Sequence, residues 1–104
     1  MVIAEVSVVP VGTERTGVSE YVAAAVSAFE SSGLRCTLEA MGTTVEAESR
    51  EEFYRALDRA QEAVFEAGAR RVYTVVKMDE RRDETDRSPE EMVRAVRERQ
   101  GRAS

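Results

Sequence analysis

Between residues 39 and 47 the chain reads Glu-Ala-Met-Gly-Thr-Thr-Val-Glu-Ala, setting a glycine and two hydroxyls between two carboxylates. Hydroxyls donate or accept and carboxylates accept, so the stretch can form the lip of a small polar pocket. The same residues also make an ordinary hairpin, with Gly42 at positive φ and the threonines favouring strand. Taken alone, the stretch leaves both readings open.

A second polar stretch, Gly12-Thr-Glu-Arg-Thr-Gly17-Val18-Ser19, has the glycine spacing of a phosphate loop but Val where that loop needs Lys. Without the lysine the β- and γ-phosphates lose their counter-charge, and a nucleotide-hydrolysing loop is rejected. What remains is a loop with a Ser or Thr helix cap, or a helix start beside Arg15 that can hold a phosphate group. Lys77, Asp79 and Arg81 read as surface ion pairs, and Cys36 as a small inward-facing hydrophobe. With no histidine and one cysteine, a zinc site, a His-based triad and an internal disulfide are all excluded. No nucleophile–base pair stands out, so neither an enzyme nor a cofactor or metal is expected.

The elements that position these groups follow from periodicity. Residues 2–9 alternate as a strand, Val2, Ala4, Val6 and Val8 against Ile3, Glu5, Ser7 and Val9, and Pro10 ends it. Val18, Tyr21, Val22, Ala25, Val26 and Phe29 then follow the spacing of a helix with one buried stripe, stopped by Gly33. Leu34, Cys36, Leu38 and Ala40 face inward on a second strand, which turns at Met41-Gly42 into a third. Ser49 and Glu52 form a capping box for a second helix, whose inner face carries Phe53, Ala56, Leu57, Ala60, Val64 and Ala67, with Gly68 as its stop. Residues 71–78 make the last strand.

The order β-α-β-β-α-β predicts an α+β, ferredoxin-like sandwich: a four-stranded antiparallel sheet with two helices on one face. Each helix has one apolar stripe, so one sheet face stays uncovered; Ile3, Val9 and Val45, or their strand neighbours, would line it, depending on register. Residues 1–83 form this domain, and 84–104 a polar linker and a short C-terminal helix. Its capping box is Ser88 to Glu91 with Pro89 in the first turn, and only Met92, Val93 and Val96 offer apolar contact, so it should dock loosely. The final "QGRAS" should fray.

Composition narrows the partners. At 104 residues, 42% hydrophobic and 34% charged, the chain reads as one globular domain. A net charge of −5 speaks against nucleic acid, which needs a concentrated basic face. The start has no basic region before an apolar run, and no run approaches the roughly 18 residues of a spanning helix. No membrane partner and a cytoplasmic location are therefore expected. The uncovered face and free strand edges invite self-association into a dimer or, by sheet stacking, a tetramer.

Several of these stretches together resemble a known family. "VPVG" at 9–12, "VSEYVAAAV" at 18–26, "SGL" at 32–34, "MGTTVEA" at 41–47 and "RVYTVVKMDERRD" at 71–83 look like the thiamine-binding, YkoF-like proteins. Two positions depart: Ala40 stands where the family has Pro, and Ala47 where it has Gly, which would narrow the space beside Glu46. The resemblance implies a ferredoxin-like fold, assembly into dimers or tetramers, and binding of thiamine or its hydroxymethylpyrimidine half without catalysis. The site it implies comprises Ser19, Tyr21, Met41, Gly42, Thr43, Thr44 and Glu46. Thr43, Thr44 and Glu46 would supply polar contacts, and Met41 and Tyr21 the walls. Glu46 is expected on an exposed strand face, where it adds little to folding and can offset the thiazolium charge. From another class, a structural oligomerisation module of the same fold with no physiological ligand remains the alternative.

Overall fold

The computed structural model describes residues 1–84 and 87–101. Thr85 and Asp86 of the polar linker, and residues 102–104 of the "QGRAS" end, lie outside the described residues. The elements are β1 (Val2–Pro10), α1 (Ser19–Ser31), β2 (Arg35–Leu38), β3 (Thr43–Ala47), α2 (Arg50–Glu66), β4 (Val72–Glu80) and α3 (Pro89–Arg99). The strands form one antiparallel sheet in the order β2-β3-β1-β4. This is the α+β, ferredoxin-like arrangement that the periodicity predicts.

Alternation decides which side is core. Val2, Ala4, Val6 and Val8 of β1 and Val45 and Ala47 of β3 face α1 and α2, and all are buried. Phe29 of α1 and Phe53 and Val64 of α2 close the layer from above. Burying each such side chain contributes about 1.5–3 kcal/mol, which is what holds two helices on this one face. Val45, a candidate for the uncovered face, is in the core; its pairing opposite Ala4 fixes that register. The uncovered face carries Ile3, Glu5, Ser7 and Val9 of β1, Thr44 and Glu46 of β3, and Tyr73, Val75, Lys77 and Asp79 of β4.

Local signals act as their chemistry requires in most places. Ser49 Oγ accepts from the Glu52 N–H at 3.1 Å, and Ser88 Oγ accepts from the Glu91 N–H at 3.2 Å. Gly33 and Gly68 end α1 and α2 at φ of 82° and 117°. Three expectations are corrected. The N-cap of α1 is Val18, with no side-chain hydrogen bond in place of the expected Ser or Thr cap. The second strand ends at Leu38, leaving Leu38 and Ala40 exposed, because its partner β3 starts opposite, at Thr43. The last strand runs on to Glu80, because β1 offers it a partner as far as Val2.

The C-terminal helix α3 touches the body at its first turn. Glu90 pairs with Arg35 of β2, and Met92 lines a small hollow with Met1 and Ile3 on the uncovered sheet face. Val93 and Val96 beyond it are exposed. The radius of gyration is 15.1 Å, above the roughly 13 Å of a compact chain of about 100 residues. The long axis spans 46 Å, more than the roughly 30 Å that nine-residue strands cover.

Candidate functional site

One polar–apolar hollow arises from a mismatch in strand length. β3 meets β1 no further than the Val6–Thr43 pair, while β1 continues to Pro10. Beyond Val6, the backbone edge of Ser7–Val9 that faces away from β4 has no strand partner among the described residues. α1 runs alongside this gap, and the turn from Leu38 to Gly42 folds over it. The result is a cavity of about 230 Å³ walled by Val18, Val22, Val26, Phe29 and Leu38. Glu39 and Thr43 add polar residues to its lining, and Ser7, whose side chain belongs to the other sheet face, borders it along the strand. Unpaired strand backbone presents an N–H and a C=O side by side, the pattern that the edge of an aminopyrimidine complements.

Gly42 shapes the lip in an unexpected way. Its φ is not positive, so the turn does not use the conformational freedom expected of it. It closes instead through the Glu39 N–H donating to the Gly42 carbonyl at 2.9 Å. What requires glycine is space: a Cβ there would lie 3.1 Å from Glu5 Cγ and 3.2 Å from the Val6 carbonyl oxygen. Met41, on the rim, is 87% exposed.

The seven residues implied by the motif resemblance divide among several places. Met41, Gly42 and Thr43 line the cavity. Thr44 and Glu46 lie on the opposite sheet face. Tyr21 lines an open groove at the β1–α1 loop with Glu14, Arg15, Glu20 and Arg70. Ser19 begins α1 and lines neither hollow. Ala47 faces the helices, so the methyl that replaces the family's glycine enters the core and leaves the space beside Glu46 unchanged.

Glu46 is less exposed than a surface strand position would be. Its side chain is 9% accessible, with Arg35 Nε 3.4 Å from its carboxylate. Burial pushes its carboxyl above the ordinary value; Arg35 works against this and Glu90 of α3 adds to it. An acid whose pKa is raised by folding is stabilised in its protonated form. The native state then binds more protons than the unfolded one, so stability falls as pH rises through that range. Glu46→Gln should therefore gain stability over the parent at pH 7 and lose that advantage near pH 4. Urea denaturation at the two pH values measures this, and an equal difference at both would remove burial as the cause.

The groups at the end of β4 also differ from the expectation. Arg81 pairs with Asp83 and Glu84 rather than with Asp79. Its paired hydrogen bonds to Asp83 hold that carboxyl down at about 2. Burial raises the thiol of half-buried Cys36, which packs against the core. Among the described residues no three His, Cys, Asp or Glu side chains cluster as a metal site, and no helix is long and apolar enough to cross a membrane.

Sequence reasoning missed Ser7 and Leu38 as cavity residues and left Glu39 out of the implied site. It had assigned Val18, Val22 and Val26 to the helix core without seeing that they border a gap. The available signal was the difference in length between the first and third strands.

A family model described as thiamine-binding protein matches residues 4–97. A UPF0045 protein of Methanothermobacter thermautotrophicus is 46% identical over 99 residues, covering 95% of this chain and 99% of its own. The crystal structure of a hypothetical protein from Methanocaldococcus jannascii superposes with a TM-score of 0.81 at 34% identity, over 91% of this chain and 94% of that one. A candidate thiamine biosynthesis/salvage protein of Thermotoga maritima superposes with a TM-score of 0.76 over 92% of this chain and 98% of its own. Its 24% identity makes that likeness one of fold alone.

Proposed function

Since the chain belongs to the thiamine-binding protein family, we propose that it binds thiamine or its hydroxymethylpyrimidine half without catalysis, in the cytoplasm, for transport, storage or sensing. The observation that carries this reading is the cavity between α1 and the β2–β3 turn, with unpaired β1 backbone along one side and apolar side chains around it. A flat ring with an amine and two ring nitrogens suits that combination. The cavity, at about 230 Å³, falls below the roughly 300–1,000 Å³ of pockets that enclose drug-sized ligands. It therefore favours the pyrimidine, with the thiazolium at the mouth near the exposed Glu39 carboxylate. Met41, Gly42 and Thr43 are the site residues of this proposal.

Calorimetric titration with thiamine, its phosphates and hydroxymethylpyrimidine tests it. Saturable binding of the pyrimidine is expected, and silence from every ligand would favour a structural module instead. Glu46→Gln separates the two sheet faces. Binding in the cavity leaves its affinity unchanged, whereas a site on the outer face would lose the roughly 1.5–3 kcal/mol of a charge-assisted hydrogen bond. The reading includes self-association, supported by exposed apolar side chains on the outer face; light scattering giving an 11.5 kDa monomer at micromolar concentration would overturn that part.

A further inference from the structure

The unpaired edge of β1 comes down to one residue. In an antiparallel ladder, residues that exchange hydrogen bonds with one neighbouring strand alternate with residues that turn to the other. Just past β1, the Val11 N–H donates to the Arg71 carbonyl at 2.8 Å. Counting back by twos, Val9, Ser7, Glu5 and Ile3 bond to β4, opposite Tyr73, Val75, Lys77 and Asp79. The even residues turn to the other side, where Val2, Ala4 and Val6 lie opposite Ala47, Val45 and Thr43. Val8 is next in that series, and no strand stands opposite it among the described residues. Its N–H and C=O both leave β1 on the cavity side, on a residue that is 5% exposed and lines the cavity. Neither has a hydrogen-bond partner among the described residues. Buried backbone groups left without a partner are rare, and each costs free energy.

Thr43 adds a third open group. It is 4% exposed and lines the same cavity, and its hydroxyl makes no hydrogen bond among the described residues. None of their side-chain oxygens is both sealed and unpaired, so the Thr43 oxygen opens on the space that the residue lines. The remaining walls are apolar apart from Glu39, which is exposed at the mouth.

We propose that the Val8 N–H, the Val8 carbonyl and the Thr43 hydroxyl select the ligand, and that they take an uncharged heterocycle whose exocyclic amine adjoins a ring nitrogen. This deepens the function proposed above and rests on it. The groups match in number and order. An aminopyrimidine presents one donor, its amine, and two acceptors, its ring nitrogens. Val8 answers the amine and the adjoining nitrogen with an acceptor and a donor on one edge, and the hydroxyl is left for the second nitrogen. A charged ring would enter without a counter-charge behind the mouth, which burial penalises heavily. A peptide strand does not suit this edge. Strand addition needs a bonding residue at every second position, and the one after Val8 is Pro10, which has no N–H to offer.

Three measurements on the full chain test the three groups. By calorimetry, the hydroxymethylpyrimidine analogue with hydrogen in place of its amine should bind about tenfold more weakly, because it leaves the Val8 carbonyl buried and unpaired. Amide exchange followed by NMR should show the Val8 N–H slowed about tenfold by saturating hydroxymethylpyrimidine. Val6 and Val9, whose N–H groups are already bonded within the sheet, should change less. Thr43→Val keeps the side chain's shape without the hydroxyl and should lose about tenfold in affinity, while Thr43→Ser keeps the hydroxyl and binds like the parent. An analogue without the amine that binds as tightly, a Val8 amide that does not respond, or a Thr43→Val chain that binds like the parent overturns this assignment while leaving ligand binding in place. A parent chain that binds no hydroxymethylpyrimidine overturns the assignment together with the function it rests on.

Discussion

Phe53→Ala is expected to cost about 3–5 kcal/mol, as truncation of a fully packed aromatic does. Phe53 is completely buried on α2, facing the core layer of β1 and β3. Its removal takes away apolar burial and leaves a void that a close-packed core fills only in part. A domain of this size has about 5–15 kcal/mol in all. The melting temperature should consequently fall by roughly 12–40 °C, at about 4–8 °C per kcal/mol. Thermal denaturation followed by circular dichroism reads this directly. A fall below about 5 °C would mean that α2 repacks over the hole and that the core is looser than its burial implies.

The second large effect concerns the ligand and leaves the fold in place. Val22 is half-buried on α1 and borders the cavity, so Val22→Phe can direct its ring into the empty space. Overpacking a filled core costs about 1–3 kcal/mol, but here the ring meets a void of about 230 Å³. Hydroxymethylpyrimidine affinity should drop at least about a hundredfold, equivalent to roughly 2.7 kcal/mol, with the melting temperature near that of the parent. Undiminished binding in a folded variant would remove the ligand from this cavity.

Much of the fold was legible because its signals are local. The apolar stripe from Val18 to Phe29 and the serine caps at Ser49 and Ser88 each act within a few residues. The twin glycine stops at Gly33 and Gly68 do the same. The face of Val45 was not legible, because alternation gives two faces and only pairing with Ala4 chooses between them. The burial of Glu46 was also hidden. It depends on Arg35 from a neighbouring strand, and Arg35 is in turn held by Glu90, 55 residues away. Of the polar residues in 39–46, Glu39 and Thr43 border the cavity, while Thr44 and Glu46 lie on the other sheet face. The cavity exists because β3 stops short of β1, a difference between two lengths that no motif records. Gly42 was read as a conformational glycine, whereas its role is to let the turn approach the Val6 carbonyl.

That close approach divides the turn into parts with different freedom to change. A side chain at Gly42 would crowd Glu5 and the Val6 carbonyl, and Thr43 is buried within the strand ladder. The side chains of Glu39, Ala40 and Met41 are exposed and take no part in the core cluster. Substitutions at these three consecutive positions can alter the charge and bulk at the cavity mouth while the backbone that seats the turn stays fixed. If the proposed ligand binds in this cavity, its preference is thus separable from foldability, so descendants of one scaffold can drift towards new small molecules without passing through unstable intermediates.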